Sequence, residues 1–133
     1  MNIAKICGLL EQQLLALSPQ LPTAFENVEF TPTGLIYQRA THLINTPRDL
    51  ALTADVTEWR GVFQVTVCAQ LGGGRGEAQA RAQAIADHFA PPQSLIAVGL
   101  RVDLLKTPAI ATGFKADERW CIPVSITWSA FKT

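Results

Sequence analysis

The fold is decided by a run of thirteen residues near the middle of the chain, Trp59-Arg60-Gly61-Val62-Phe63-Gln64-Val65-Thr66-Val67-Cys68-Ala69-Gln70-Leu71. Successive side chains of a β-strand point to opposite faces of its sheet. One alternating set in this run is Trp59, Gly61, Phe63, Val65, Val67, Ala69 and Leu71. The other set is mainly polar, apart from Val62 and Cys68. The run therefore predicts a strand with one face in the core and the other partly solvated.

Two other segments have the helical period. Residues 3–17 place their apolar side chains within an arc of about 100°, which is the stripe of an amphipathic helix. Ser18-Pro19 ends this helix, because a proline disfavours helical backbone in the residue before it. Residues 77–89 predict a second helix, whose small alanines allow close approach to a sheet.

Further strands are expected on both sides of the central run. Residues 24–30 and 35–44 alternate in polarity around a turn-forming Thr-Pro-Thr-Gly, which predicts a hairpin. Residues 98–105 predict another strand, with Val98, Leu100, Val102 and Leu104 on one face, and residues 109–112 offer a short edge strand. Residues 119–131 predict the last strand. It must have an edge or a bulge beside Pro123, which cannot donate to a ladder.

The resulting order, α-β-β-β-α-β-(β)-β, differs from the strict alternation of a doubly wound parallel sheet. We therefore expect an α+β fold in which two helices pack on one mainly antiparallel, mixed sheet. The length of 133 residues suits a single domain, residues 1–133. The expected core consists of Leu10, Leu14, Phe63, Val65, Val67, Ile85, Phe89, Trp120, Ile122, Val124 and Ile126.

Residues 45–58 lack a clear period and contain Pro47. A connection of this length exceeds the usual 4–6 residues and is often functional, so we expect a long, partly mobile loop. The alternative is a strand extension that includes Leu50, Leu52 and Val56. If the loop makes contacts with other subunits, its candidate charged residues are Arg48, Asp49, Asp55 and Glu58. Trp59 at its mouth is a further candidate, and Arg75 is a weaker one.

The cluster Gly72-Gly73-Gly74-Arg75-Gly76 follows a strand and opens a helix, a context that suits a phosphate cradle. It has neither a Gly-Lys-Ser/Thr ending nor the G-x-G-x-x-G spacing, so a flexible turn is the favoured interpretation. A small phosphate- or nucleotide-binding domain or enzyme that uses this turn stays as the alternative from a different class.

The histidines and cysteines predict no cofactor or metal. His42 and His88 have no nearby partner in the sequence, whereas zinc needs about four ligands and usually shows paired spacing. Cys68 and His88 could form a nucleophile and base, but nothing in the sequence activates the thiol. The three cysteines are odd in number and widely spaced, which predicts buried free thiols in a reducing compartment. With no catalytic constellation, we expect an assembly protein and not an enzyme.

The balance of positive and negative residues limits the classes of partner that we expect. The chain carries 11 Lys and Arg against 11 Asp and Glu, whereas a nucleic-acid-binding protein usually shows a basic excess. No apolar run approaches the roughly 20 residues that span a bilayer. We therefore expect neither a specific nucleic acid nor a membrane as partner.

Several phrases of the sequence resemble a known family. Phe25-Glu26-Asn27-Val28-Glu29-Phe30-Thr31-Pro32, followed by Gly34 and Tyr37, is similar to the first hairpin of phage tail terminator-like proteins. Gly61-Val62-Phe63-Gln64-Val65-Thr66-Val67 resembles the central strand of that family, and Trp120-Cys121-Ile122-Pro123-Val124-Ser125-Ile126 resembles its closing strand. The resemblance covers nearly the whole chain in order. Cys121 departs from the basic residue expected beside the aromatic.

The resemblance implies a structural role in virion assembly. Such subunits form a ring, expected to be a hexamer, that caps the finished tail tube, ends its polymerisation and presents a surface for head joining. The implied partners are further copies of the chain, the tail tube protein and head–tail connector proteins. A monomeric free subunit in dilute solution is compatible with this role. The implied location is the cytoplasm of the host bacterium, or of a prophage carrier, and then the virion tail. Another head–tail connector or minor tail protein is the nearby alternative.

Overall fold

The computed structural model describes residues 2–32, 34–50 and 56–133. The two helices are α1 (Ile3–Leu15) and α2 (Gly76–His88). The strands are β1 (Thr23–Ala24), β2 (Ile36–Ile44), β3 (Arg48–Asp49), β4 (Thr57–Gln70), β5 (Gln93–Ala97), β6 (Leu100–Leu104), β7 (Ala109–Ile110), β8 (Phe114–Ala116) and β9 (Arg119–Lys132). The predicted α+β class with two helices on a mainly antiparallel, mixed sheet is confirmed.

The sheet is built around the two longest strands. Its main order is β1-β2-β4-β9-β6-β5, while β3 pairs with β4, and β7 and β8 pair with β9. All these pairs are antiparallel except β1–β2, which is parallel. The carbonyl of Pro123 accepts a bond from the N–H of Ala111, so the missing donor of Pro123 faces the side of the short strand β7.

Both helices pack on one face of the sheet. In α1 the residues spaced four apart, Ile6, Leu10 and Leu14, are buried, as their helical period requires. Of the expected core residues, only Trp120 is not fully buried, and it packs against the rest. The others are Leu10, Leu14, Phe63, Val65, Val67, Ile85, Phe89, Ile122, Val124 and Ile126, all at 3% exposure or less. Within the part of the chain that the structure describes, the opposite sheet face carries no helix, and we call it the open face.

The expected strand over residues 24–30 is wrong beyond its first residue. Only Thr23–Ala24 forms a strand, and it runs parallel to β2 instead of pairing with it as a hairpin. Asn27 has a φ of 54°, and the N–H of Val28 donates to the carbonyl of Phe25. Asparagine tolerates this left-handed conformation, so the chain turns where polarity alternation predicted extension.

The hairpin of β5 and β6 corrects a second expectation. The sequence analysis began a strand at Val98, but Ala97 pairs with Leu100, which places Val98 and Gly99 in the two-residue turn. Gly99 has a φ of 76°, a value that suits glycine in such turns. Leu100, Val102 and Leu104 face the core as predicted, whereas Val98 is 94% exposed.

The expectation of three free thiols is also wrong. Cys68 of β4 and Cys121 of β9 lie directly opposite each other, with 4.1 Å between their Cα atoms, and form a disulfide. The pair lies on the open face beside Tyr37, with Phe30 and Ala116 packed against it. Only Cys7, on α1, is a free cysteine. Cys68 is therefore unavailable as a nucleophile, and His88 at the end of α2 instead contacts the carbonyl of Gln13 at 2.6 Å.

Candidate functional site

Part of the segment expected to be a loop, residues 45–58, forms strand: β3 covers Arg48–Asp49, and β4 begins at Thr57. Arg48 of β3 pairs with Glu58 of β4, Asp49 pairs with Thr57, and the N–H of Leu50 donates to the carbonyl of Val56 at 2.7 Å. Residues 51–55, which include Asp55 and Leu52, lie outside the described residues. The alternative of a strand extension is thus the better description of residues 48–50 and 56–58, and we call these two segments the β3–β4 arm.

A β-bulge separates the arm from the main sheet. Ile44 pairs with Gly61, and Arg48 pairs with Glu58. Between these two pairs, the three residues 45–47 of one strand lie opposite the two residues 59–60 of the other. One of the three residues on the longer side is Pro47, which cannot donate to the ladder. Such bulges bend and twist a strand. The arm also lies beyond Trp59–Ala130, the last pair of β4 with β9.

The charged side chains of the arm are paired within it. Arg48 Nη2 lies 2.8 Å from Glu58 Oε1, and Glu58 Oε2 accepts a bond from the Ser129 hydroxyl at 3.0 Å. Thr57 donates to a carboxylate oxygen of Asp49 at 2.8 Å. Arg48 is nonetheless 56% exposed along its side chain. A partner can therefore contact this charge without first breaking into the core.

Trp59 and Arg75 occupy different surroundings. Trp59 is half-buried and packs against the core, next to the base of the arm. Arg75 precedes α2 and lies beyond the far end of β4, a strand of 14 residues at about 3.3 Å each. The fold thus brings Arg48, Asp49, Glu58 and Trp59 together and leaves Arg75 at the opposite end of the sheet.

The glycine turn forms the start of α2. Gly72 and Gly74 have φ values of 88° and 82°, which explains the glycines by backbone conformation alone. A cavity there is lined by Leu71, Gly72, Gly74, Arg75 and Trp120. Arg75 makes no side-chain capping bond, and the first turn of α2 contains the carboxylate of Glu77. These features do not favour the phosphate-binding alternative.

One buried cation escaped the sequence analysis. Arg81 of α2 is 7% exposed, and it donates to Gln38 Oε1 on β2 at 3.3 Å and to the Pro19 carbonyl at 2.6 Å. Gln38 in turn donates to the Thr23 hydroxyl at 3.0 Å. Burial lowers the pKa of Arg81. This network connects α2 to β1, β2 and the Ser18-Pro19 turn. In the sequence alone, Arg81 resembles an ordinary charged residue on the exposed face of a helix.

A second polar group joins α1 to β2. His42 Nε2 lies 2.7 Å from Glu11 Oε2, and the imidazole stacks on Phe63 with 4.8 Å between ring centroids. The backbone N–H of His42 donates to Glu26 Oε1 at 3.2 Å.

Burial, with a smaller contribution from the Glu11 and Glu26 carboxylates, raises the pKa of the Cys7 thiol. In the described part of the chain, no three His, Cys, Asp or Glu residues are arranged to hold a metal ion.

The comparisons with known proteins agree with this architecture. The family model for the phage tail terminator protein matches residues 5–128, so the chain belongs to the phage tail terminator family. A search of curated proteins found no match. Among solved structures, a protein whose name describes no function has 27% sequence identity and a TM-score of 0.79, and the match covers 98% of this chain and 96% of that one.

The family is one of structural components of the phage tail. Neither of the two described helices combines the length and apolar character needed to cross a membrane. The surfaces that this fold offers to other tail proteins include the arm and the open face.

Proposed function

We propose that the chain is the subunit of a ring, expected to be a hexamer, that caps the tail tube, ends its polymerisation and offers a surface for head joining. The observation that carries this proposal is the family match, which extends over residues 5–128 and thus over both helices and nearly all of the sheet. The proposed partners are further copies of the chain, the tube protein and head–tail connector proteins. Assembly would take place in the host cytoplasm before the ring enters the virion tail.

Ring closure requires two unlike surfaces on each subunit, because a head-to-tail contact joins different patches of neighbouring copies. The sheet supports this requirement, since one edge is the antiparallel strand β5 and the other is β2 with the short parallel strand β1. The free subunit can still be monomeric in dilute solution. A tube end would then supply several sites side by side and raise the effective concentration.

We place a contact with a neighbouring subunit or with the tube on the β3–β4 arm. Its candidates are Arg48, Asp49, Glu58 and Trp59, together with Asp55 from the sequence analysis, while Arg75 would belong to a separate surface. The arm supports this role because it exposes the apolar side chains of Leu50 and Val56 at 49% and 47%. Exposed apolar side chains beside charges are typical of protein-binding surfaces.

Tube polymerisation in the presence of the purified chain tests the proposal. Tube protein from the same phage or prophage would be allowed to polymerise, and tube lengths would be measured by negative-stain electron microscopy. We expect the chain to shorten the tubes in proportion to its concentration and to add a ring at one end. Tubes of unchanged length with bare ends would contradict the proposal. Binding along the tube or only to head connectors would favour the minor tail protein or connector alternatives.

Arg48→Glu tests the role of the arm. This change reverses an exposed charge and places it beside Glu58, so we expect a loss of capping with little loss of fold, because exposed ion pairs contribute only about 0–1 kcal/mol. Lys115→Glu, which reverses an exposed charge on β8 at the opposite end of the sheet, is the matched control. Equal capping by wild type and Arg48→Glu, at equal thermal stability, would remove the arm from the contact.

A further inference from the structure

We infer that the open face of the sheet binds a carboxylate-rich surface of another tail protein through a set of arginines. This inference rests on the proposed function in tail assembly and names the chemistry of one partner surface. Three observations carry it: the unequal distribution of charge around the sheet, three guanidinium groups without a carboxylate partner, and apolar side chains on the same face.

Strand pairing identifies the charged side chains of the open face. Phe63, Val65 and Val67 of β4 are buried in the core, so the alternate residues of that strand point to the open face. Residues directly opposite each other on neighbouring strands share a face, which extends the assignment across the sheet. The charged residues on this face are Arg39, Arg48, Glu58, Arg60, Arg101, Asp103 and Arg119.

Charge is divided unequally between this face and the rest of the chain. Among the described strand residues, the open face carries five arginines, two carboxylates and no lysine, an excess of three positive charges. Because the whole chain has a net charge of zero, all its other residues together carry an excess of three negative charges. The balanced total therefore conceals a positive surface.

Two of the five arginines are neutralised within the subunit. Arg48 Nη2 lies 2.8 Å from Glu58 Oε1, and Arg101 Nε lies 3.0 Å from Asp103 Oδ1. These ion pairs use both carboxylates of the open face. The face therefore offers no carboxylate of its own to the remaining arginines.

Arg39 and Arg60 form no ion pair within the described residues. Arg60 uses only its Nε, which donates to the Thr46 carbonyl at 3.1 Å. Arg39 is exposed, and the Glu26 carboxylate beside it in the same cavity instead accepts from the backbone N–H of His42. A guanidinium has five N–H donors in a fork that matches a carboxylate, so both side chains can bind carboxylate oxygens of a partner.

Arg119 is the third arginine without an ion pair, and it is held in place close to Arg39. It donates to the carbonyls of Gly34 at 3.2 Å and Leu35 at 2.9 Å, and its guanidinium lies 5.2 Å from the centroid of the Tyr37 ring. Tyr37 and Arg39 share the open face of β2. A side chain that is already ordered loses less conformational entropy when it binds a partner.

The face is large enough for a protein partner. The pairs of Arg119 with Gln70 and of Arg60 with Ser129 are ten residues apart along β4, or about 33 Å. Three to five strands give a width of about 14–24 Å, so the area approaches the roughly 800 Å² that one partner contributes to a standard interface. The centre between these arginines is uncharged and consists of Thr41, Val62, Gln64, Thr66, Pro123, Ser125 and Thr127.

Exposed apolar side chains on this face favour a protein over a nucleic acid. Leu43 of β2 is 48% exposed, Ile96 of β5 is 72% exposed and Phe114 of β8 is 44% exposed. A phosphate backbone offers no apolar surface to cover them. Protein interfaces combine apolar side chains with arginine and contain few lysines, as this face does.

Charge reversal gives the first test. Tails purified from a phage or prophage that lacks the gene for this chain would be titrated with labelled protein. We expect Arg39→Glu to raise the half-saturating concentration at least about tenfold, since the reversed charge repels the partner in every copy. Arg60→Gln should act in the same direction but less strongly. Lys5→Glu, which reverses an exposed charge on α1, is the matched control and should bind like wild type.

Cross-linking identifies the occupant. Arg39→Lys and Arg60→Lys keep the charge and introduce a primary amine, which a carbodiimide joins to a carboxylate in direct contact. In purified particles that carry either variant, peptide mass spectrometry should find the amine at position 39 or 60 joined to Asp or Glu of a different tail protein. The native amine of Lys5 on the helical side is the internal control and should not be joined to that surface.

The outcomes separate this inference from the proposed function. Wild-type protein that does not bind tails would contradict both. Wild-type protein that binds tails, with Arg39→Glu binding equally well or with no cross-link from the introduced amines, would overturn the inference alone. Cross-links only to a second copy of the chain, or formaldehyde cross-links of the same amines to DNA, would overturn the assignment of the partner. Circular dichroism checks the fold of each variant, and Arg39→Gln replaces Arg39→Glu if that variant fails to fold.

Discussion

At the scale of single residues, the buried guanidinium of Arg81 holds together three segments that are distant in the sequence. Its partners, Gln38 Oε1 and the Pro19 carbonyl, are acceptors that lose their bonds if the side chain is removed. We expect Arg81→Ala to lower the free energy of unfolding by roughly 1–3 kcal/mol, since a buried group left without its partner is costly. Urea denaturation measures this change.

Arg75→Ala is the matched control, because it removes an exposed arginine at the start of the same helix. It should change stability by no more than about 0.5 kcal/mol. A loss below about 0.5 kcal/mol for Arg81→Ala as well would show that the network contributes little.

Cys7 gives a prediction that depends on pH. Burial, and then the Glu11 and Glu26 carboxylates, disfavour its thiolate and raise the thiol pKa. The reactive thiolate therefore forms at higher pH than in an unfolded peptide, and alkylation of the folded chain near pH 8 should be slower than after denaturation. Glu11→Gln removes one of these charges and should shift the rate profile toward lower pH. An unshifted profile would contradict the role of Glu11.

The pairing of Cys68 with Cys121 predicts a thiol count. Protein purified without reductant should show one reactive thiol in denaturant, that of Cys7, and three after reduction. Thiol titration with a chromogenic disulfide measures both numbers. Three reactive thiols before reduction would mean that the pair remains reduced in the isolated protein.

At the scale of elements, close contact between β2, β4 and β9 depends on Gly61. A Cβ at this position would lie 2.7 Å from the Leu43 carbonyl oxygen and 2.7 Å from Trp128 Cζ2. Trp128 is 1% exposed and cannot move easily. We expect Gly61→Ala to cost about 1–3 kcal/mol by overpacking, measured by thermal or urea unfolding.

Gly73→Ala is the control for this substitution. A Cβ there would come no closer than 3.7 Å to the Gln70 carbonyl oxygen, so the change should be nearly neutral. Equal stability of the two alanine variants would contradict the tight contact at Gly61.

The elements also show where sequence patterns succeed. β4, β9 and α1 were predictable because each buries one face, and a buried face imposes a period on the sequence. β5 was missed because Gln93–Ala97 is short, follows Pro91-Pro92 and packs only partly against the core. Val98 was wrongly assigned to β6 because it continues the alternation of apolar residues at Leu100, Val102 and Leu104. In the structure it lies in the turn that precedes this strand.

The candidate site was less predictable than the fold. The charges of residues 45–58 were visible in the sequence, but the pairing of Arg48 with Glu58 depends on a one-residue bulge that polarity cannot show. The disulfide and the network of Arg81 were missed for the same reason, since both depend on which residues lie opposite each other across strands and layers. Neither has a local signature.

At the scale of the whole molecule, the equal numbers of positive and negative residues fit a subunit that binds other proteins. The helical face of the sheet is closed by α1 and α2, while the open face, the arm and the β5 edge stay accessible within the described residues. A surface divided in this way suits a ring, in which each copy uses two different edges for its neighbours and keeps other surfaces for tube and head.

The central claim is tested most directly by electron cryo-microscopy of the head-proximal end of the tail in phage particles that contain this chain. The account predicts a closed ring at that end, with density that fits this fold. Location of the chain at the tail tip or within the head, or a tail end without such a ring, would contradict it.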